Sequence, residues 1–348
     1  MAVVEIGGRK VGPGHPCFVI AEAGVNHNGD LEVARDLVRI AARAGADAIK
    51  FQTFSADRLV TASAPKADYQ IARTGADETQ HDMLERLELD ADGHRRLMAD
   101  CEKEGIIFLS SAFDETSADL LDELGVVAFK VPSGEITNLP YLEHVARKGR
   151  PLVVSTGMST LAEVDQALAA IAGAREVPVV LLHCTSLYPA PPEASNLRAM
   201  ETMRVTFETP VGYSDHTDGI WISLAAVALG ADMIEKHLTL DRDLPGPDHA
   251  ASLDPAGFRS LVEGIREVES ARGDGVKRPL PEEAETAAVA RKSIVAATDI
   301  PSGTAITRQM VAIMRPGTGL APDRLQWVVG RKARVAIPSG SVITKEMV

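Results

Sequence analysis

The 348-residue chain has only three cysteines, Cys17, Cys101 and Cys184, and no two of them form a CxxC pair. That leaves no disulfide framework and predicts reduced thiols in a cytoplasmic protein. Cys184 lies in an apolar run and is expected in the core. No apolar stretch is long enough to span a bilayer, and no basic-then-apolar leader opens the sequence. Positive charge is also in short supply. Lys and Arg number 36 against 49 Asp and Glu, a formal net charge of −13. Such an acidic surface argues against nucleic-acid and anionic-membrane partners, although a pocket can still be locally basic. Finally, no GxGxxG follows the first strand-like run, so a dinucleotide-binding sheet has little support.

What is present is an alternation. Short apolar runs occur at Phe18–Glu22, Ala48–Gln52, Ile106–Ser111, Val127–Pro132, Pro151–Ser155, Pro178–Cys184, Pro210–Ser214 and Met233–His237. Most are apolar on successive residues, the pattern of parallel strands buried on both faces. Amphipathic stretches such as Leu31–Ala44, Asp92–Glu104 and Leu161–Ala172 lie between them. Eight strand–helix units predict a (β/α)₈ barrel; a doubly wound open sheet is the alternative. Polar residues favour the barrel. Glu22, Lys50 with Gln52, Ser111, Lys130 with Ser133 and Glu135, Thr185, Ser214 with His216, and His237 stand at or just past strand C-termini. Barrel enzymes build their sites on that rim.

Two chemistries follow from these residues. His216 and His237 close neighbouring strands and could share one divalent cation, with Asp215 and Glu235 nearby. Two strong ligands imply an open, water-rich sphere suited to Mn²⁺ or Mg²⁺. Lys50 and Lys130 end apolar strands, where a lysine needs a charge to meet. An anion clamp helped by the Ser111, Ser133 and Ser214 hydroxyls, a Schiff base, and an ion pair with Glu22 or Glu135 all remain open. Glu22, Glu135 and Asp248 are placed for proton work or hydroxyl recognition, Asp248 in the stiff Pro245-Gly-Pro-Asp turn. His183 reads as buried and hydrogen-bonded, and His15, His81, His94 and His144 as surface residues.

A helix near Asp254–Arg272 should close the barrel, and residues 276–286 read as a linker. The segment 287–348 then carries an internal echo: Ile300-Pro-Ser-Gly and its continuation to Val311 match Ile337-Pro-Ser-Gly and its continuation to Val348 at 8 of 12 positions. Each copy is expected to form a strand, a tight turn, a strand and a short helix, giving a small pseudo-symmetric domain.

Read together, these motifs resemble the N-acetylneuraminate (sialic acid) synthase family, including its legionaminic and pseudaminic acid synthase relatives. The likeness rests on Ile20-Ala-Glu-Ala-Gly-Val-Asn-His-Asn-Gly29, Lys50-Phe-Gln-Thr53, Phe129-Lys-Val-Pro-Ser-Gly-Glu135, Ser155-Thr-Gly-Met158, His183-Cys-Thr185 with Tyr188-Pro189, Tyr213-Ser-Asp-His216 and Pro245-Gly-Pro-Asp-His249. The tail, with Lys292-Ser-Ile-Val-Ala296 and Arg315-Pro-Gly317, resembles the antifreeze-like SAF domain of that family.

The resemblance implies a TIM barrel over residues 1–275 and an SAF domain over 287–348. It implies condensation of phosphoenolpyruvate with N-acetylmannosamine or a close analogue. It implies a divalent metal on His216 and His237, Mn²⁺ first and Mg²⁺ or Co²⁺ as alternatives. Lys50, Ser111, Lys130, Ser133, Ser186 and Ser214 would hold phosphoenolpyruvate. Gln52, Tyr188, Asp248 and Arg315 would read the sugar, with Glu22, Glu135 and Asp248 at the reacting centre. It further implies a homodimer in which the SAF domain of one copy covers the other's site. Ser186 departs from the asparagine that sialic acid synthases can carry there, and Ser111-Ala112 stands where some members have Thr-Pro. The Lys66–Gln70 and Met83–Leu89 stretch is unlike the pseudaminic branch and does not separate the sialic from the legionaminic branch. Rival expectations are a legionaminate synthase using a 2,4-diacetamido-2,4,6-trideoxy sugar, another phosphoenolpyruvate aldol condensation, and a non-catalytic carbohydrate-binding protein.

Overall fold

The computed structural model describes residues 2–348, which fall into two compact units, Met1–Gly273 and Asp274–Val348. In the first unit a hairpin of β1 (Val4–Ile6) and β2 (Arg9–Val11) precedes eight strands: β3 (Phe18–Gly24), β4 (Ala48–Thr53), β5 (Ile107–Ala112), β6 (Phe129–Val131), β7 (Leu152–Ser155), β8 (Val179–Cys184), β9 (Val211–Asp215) and β10 (Met233–His237). These eight pair in parallel and close in the order β10-β3-β4-β5-β6-β7-β8-β9, a (β/α)₈ TIM barrel. The helices of this unit are α1 (Leu31–Ala44), α2 (Ala56–Leu59), α3 (Asp68–Thr74), α4 (Gln80–Glu85), α5 (Ala91–Glu104), α6 (Glu115–Leu124), α7 (Leu139–Arg147), α8 (Leu161–Ala174), α9 (Ala199–Phe207), α10 (Trp221–Ala228) and α11 (Pro255–Arg272). Helix α1 shows why they form where they do. The Asp30 side chain caps two free amides, and Ala34, Leu37, Val38 and Ala41 repeat at helical spacing along the buried face.

Strand alternation sorts the core into two shells. Outward residues such as Val19, Ile49, Phe129, Leu181 and Ile234 join the helices. Inward residues such as Phe18, Ile20, Ala48, Leu109, Val153, Val180, Leu182 and Met233 fill the barrel, and Val4, Ile6 and Val11 of the hairpin pack with them. Continuing the same inward register toward the strand ends reaches Glu22, Lys50, Ser111, Lys130, Ser155, Cys184, Ser214, Glu235 and His237. The period of two therefore turns an apolar plug into a polar rim without a change of backbone.

Two expectations need correction here. Cys184 is buried but belongs to that inward rim rather than the core, because it follows Val180 and Leu182 in register. His94 is not a surface residue. It is fully buried, with its ring against the Thr53 hydroxyl at 2.7 Å and the Asp90 carbonyl at 2.8 Å. The 276–286 segment contains a 3₁₀ turn at Pro281–Glu283 and runs into α12 (Ala284–Ala290). A proline at the first helical position, glutamates beside it and an alanine-rich run all favour a helix there.

One outward pair is ionic. Lys236 Nζ lies 3.0 Å from Asp215 Oδ2, both fully buried, and Asp215 also accepts from the Thr217 amide and the Thr217 and Ser223 hydroxyls. The pair ties β9 to β10 one residue before each rim histidine. Lys236→Met strands a buried carboxylate and should cost about 3–5 kcal/mol of stability, partly restored by adding Asp215→Leu. Urea unfolding of the three variants is the check, and an unchanged midpoint for Lys236→Met contradicts it.

The second unit holds α12, β11 (Ser293–Ala296), β12 (Val311–Met314) and a final short helix, α13 (Leu325–Val328). Strands β11 and β12 pair antiparallel. The two echo copies meet at an antiparallel bridge, Ile300 to Ile337, and each ends in a 3₁₀ turn, Arg308–Met310 and Lys345–Met347. Both expected strands of each copy are thus reduced to isolated bridges, the second ones pairing Ala305 with Lys332 and Val342 with Val295. The core of this unit includes Ile294, Ile300, Ile306, Val311, Val328, Ile337 and Ile343.

Candidate active site

A cavity of about 530 Å³ opens at the C-terminal rim of the barrel. Its lining gathers Glu22, Lys50, Gln52, Ser111, Lys130, Ser133, Glu135, Ser186, Tyr188, Ser214, His216, His237 and Asp248 from β3 to β10 and the loops after them. Every site residue expected in the barrel unit therefore borders one space. Arg315 is exposed in the second unit, directly after β12.

The centre of the cavity is a charge network. Lys50 Nζ lies 2.6 Å from Glu22 Oε2 and 3.7 Å from Glu235 Oε2, and donates to Ser111 Oγ at 2.8 Å. Lys130 Nζ lies 3.6 Å from Glu235 Oε1 and donates to Ser155 Oγ at 2.6 Å. Ser214 Oγ donates to Glu235 Oε1 at 2.9 Å. Glu235 is thus shared by both lysines. Sequence reasoning placed it beside a metal ligand and did not place it here, because β10 meets β3 only when the barrel closes. Of the readings left open for Glu135, the lysine ion pair is not formed among the described residues: its Oε2 accepts from Asn138 Nδ2 at 2.7 Å.

The two carboxyls are driven apart. Burial raises Glu22 most, Lys50 pulls it back and Glu235 pushes it up again, leaving it at about 7. At Glu235 burial also opposes ionisation, but Lys130 and Lys50 outweigh it and hold the group down at about 2. Two acids competing for two ammonium groups are pushed in opposite directions, one held ionised and the other brought close to neutrality, which is how paired carboxyls acquire different roles. Asp248 is raised to about 6, by burial first, against the pull of His216 and Lys50. For Glu22 the sign of the linkage is definite. The folded chain holds its proton up to about pH 7, whereas the unfolded chain releases it near the ordinary 4.5. Its contribution to stability therefore falls as pH rises through that window. The stability gained by Glu22→Gln over the wild type should be larger at pH 8 than at pH 5 in urea unfolding; an equal difference at both contradicts this.

Beside the network stand the two imidazoles, with ring centres 5.5 Å apart and planes tilted by 54°. Two imidazoles on one cation at metal–nitrogen distances of about 2.1 Å have centres about 4.5–6 Å apart, so the spacing fits. His216 sets Nδ1 against the Thr185 carbonyl at 2.8 Å, which leaves Nε2 free, the usual arrangement of a metal-binding imidazole. His237 is pushed well below its ordinary pKa by burial, then by His216 and Lys50, so its ring is neutral, and its Nδ1 is buried without a hydrogen-bond partner. Among the described residues no group of three or more His, Cys, Asp or Glu side chains is arranged to hold a metal, so any cation would complete its sphere with solvent or substrate oxygens.

Backbone placement supports the hydroxyls. The Gly157 amide donates to Ser133 Oγ at 3.0 Å, and a Cβ on Gly157 would come within 2.3 Å of Ser186 Oγ and 2.8 Å of Ser133 Oγ. Only glycine lets both serines crowd that turn. Further lining comes from residues the sequence did not single out as site residues: Ser155, Cys184, Tyr69 and Gln70. Tyr69 stacks on Tyr188 with centres 5.1 Å apart, and Tyr188 lies 4.1 Å from the His216 ring. Tyr69 belongs to the α2–α4 insertion after β4, where no strand-end rule applies. The serine and cysteine were findable by the period of two. The insertion also contributes Leu59, Val60, Met83, Leu84 and Leu87, an apolar side to the cavity.

A closed barrel that concentrates lysines, carboxyls, hydroxyls and paired imidazoles at the strand C-termini is a protein of the barrel-enzyme class. The chain belongs to the NeuB family: that family's model matches residues 37–277, and the SAF domain model matches residues 291–348. It is 46% identical to an N,N'-diacetyllegionaminic acid synthase of Legionella pneumophila over 95% of this chain and 94% of that protein. It is 47% identical to a protein of the same name from Campylobacter jejuni, over 91% of this chain and 95% of that one. Among solved structures, the N-acetylneuraminic acid (sialic acid) synthetase of Leptospira borgpetersenii in complex with citrate superposes with a TM-score of 0.73 at 34% identity, covering 82% of this chain and 95% of that one.

Proposed function

We propose that this protein condenses phosphoenolpyruvate with an N-acylated mannosamine-type sugar and water, giving a nine-carbon sialic-type acid and phosphate. The single observation that carries the reading is the buried Lys50–Glu235–Lys130 bridge beside the imidazole pair, in one cavity. Two lysines poised over shared carboxyls can turn to a phosphate, and the serine hydroxyls supply further donors. A divalent cation on His216 and His237, Mn²⁺ before Mg²⁺ or Co²⁺, would supply Lewis acidity toward the sugar's aldehyde oxygen.

The chain's own groups do the rest. Lys50 and Lys130 neutralise the phosphate while the enol carbon forms its bond to the aldehyde carbon. Glu235, held ionised, keeps both ammonium groups in place. Water then adds at the carbon bearing the phosphate, giving one proton to Glu22 or Glu135, which passes to the oxygen of the former aldehyde; the new hydroxyl becomes the keto group as phosphate departs with its bridging oxygen and takes the second proton. Glu22, at about 7, can exchange a proton near neutrality. Gln52, Tyr188 and Asp248 would orient the sugar. In the same reading the protein is a homodimer and the partner's Arg315 reads the far end of the sugar; its support is the Arg315-Pro-Gly317 motif.

A second reading, with a 2,4-diacetamido-2,4,6-trideoxy sugar, is favoured by the apolar side of the cavity. Leu59, Val60, Met83 and Leu84 offer a methyl group better company than a hydroxymethyl. The names of the two legionaminic acid synthase relatives point the same way. Mass spectrometry of products from phosphoenolpyruvate with each candidate hexosamine decides between them. Phosphate release that does not depend on any such sugar would overturn both.

A further inference from the structure

Asp248 enters the cavity with Pro247 from a loop whose next residue, His249, stays outside the lining, and something must hold that loop. Among the described residues the Asp248 carboxylate takes part in no hydrogen bond or ion pair, so it is free for a ligand, while its backbone carbonyl is fixed by the Ser252 hydroxyl at 2.7 Å. The next residue, His249, is fully buried and outside the cavity lining. Its Nδ1 sits 2.7 Å from Thr239 Oγ1 and its Nε2 is 3.2 Å from Asn28 Oδ1. Asn28 in turn donates through Nδ2 to the Pro245 carbonyl at 2.9 Å. That bond turns the Asn28 amide oxygen toward His249, so His249 Nε2 carries a proton and donates it to Asn28, while Nδ1 packs against the Thr239 hydroxyl, which also reaches the Asp241 carbonyl at 3.0 Å. Burial, which lowers His249 to about 4, keeps this neutral form. The fit is close. A Cβ on Gly246, whose φ is +150°, would lie 2.6 Å from the His249 ring and 2.8 Å from Asn28 Oδ1.

We infer that His249 is a positioning residue for sugar recognition: wedged between Thr239 and Asn28, it locks the Pro245–Asp248 turn so that the Asp248 carboxylate stands in the cavity. Asn28 is the outer half of the same clamp. It lies on the β3 loop, so the first and last strands of the barrel together set the geometry of one carboxylate. The inference rests on the reading of Asp248 as a sugar contact. It differs from a general packing role because the lysine network that would hold phosphoenolpyruvate lies outside the clamp.

The test uses the full chain with phosphoenolpyruvate, Mn²⁺ and the sugar the wild type turns over. His249→Ala should raise the KM for the sugar by about tenfold and leave the KM for phosphoenolpyruvate within about twofold, with His249→Gln recovering part of the loss through its amide donor. In an Asp248→Ala background the same substitution should add nothing to the sugar KM. Hydrogen exchange on the free protein should show the Gly246–Ala251 amides losing about tenfold in protection. Asn28→Ala, on an exposed side chain, supplies the same readouts if His249→Ala fails to fold. Equal rises in both KM values, additivity with Asp248→Ala, or unchanged exchange overturns the proposal. A wild type inactive on every N-acylmannosamine sugar would instead defeat the functional reading, and the exchange comparison would still decide the clamp.

Discussion

Lys130→Met is expected to lower kcat/KM for phosphoenolpyruvate by about 10³-fold, the range seen when one preorganised charge donor is removed from a water-poor site. The side chain is buried, so methionine keeps most of its packing and loses only the ammonium group. Two effects then add. The phosphate loses a cation, and Glu235 loses one of the two lysines that hold it ionised. Lys50 would be left to serve Glu22, Glu235 and the substrate alone. Steady-state kinetics with phosphoenolpyruvate as the varied substrate reads the loss. A KM and kcat within twofold of the wild type would show that the lysines are structural ion-pair partners and nothing more. Lys50→Met should be at least as damaging and should also unfold at lower denaturant, because Glu22 and Glu235 would then face each other without Lys50 between them.

The second large effect is expected from the imidazole pair. Chelation should reduce turnover to background and Mn²⁺ should restore it. His237→Ala should weaken Mn²⁺ binding by about 100-fold or more, measured independently of turnover from the spectrum of free Mn²⁺ in electron paramagnetic resonance titrations. His237 is the sharper choice of the two. Its ring has no other described hydrogen-bond partner at Nδ1, whereas His216 also braces the Thr185 carbonyl. Full turnover in chelator, with no Mn²⁺ bound by the wild type, would remove the cation from the reading.

Much of the site could be read from strand ends. Lys50, Lys130, Ser111, Ser214, His216 and His237 were visible because a buried parallel strand tolerates a polar residue only where it leaves the core, and in a barrel that place is the rim. Cys184 was misread because an apolar run looks the same whether a residue faces the helices or the barrel interior; only its register with Val180 and Leu182 separates the two. His94 was misread for a related reason. A polar side chain early in an amphipathic helix becomes a core residue once another element, here Thr53 on β4, offers it a hydrogen bond. Tyr69 lies in an insertion whose short helices follow no repeating pattern.

Strand periodicity, linear motifs and the internal echo therefore pointed to parallel strand–helix units, the appended unit and the chemical character of the rim, since these depend on local alternation and residue type, and polar residues at the strand ends favoured a barrel over an open sheet. Only the closed tertiary structure decided that Glu235 bridges both lysines, that Glu22 is pushed up while Glu235 is held down, and that Asn28 and His249 brace the Asp248 turn. Each of those depends on β10 arriving beside β3, more than 200 residues away in the chain, and on burial that makes charges separated by a few ångströms govern one another.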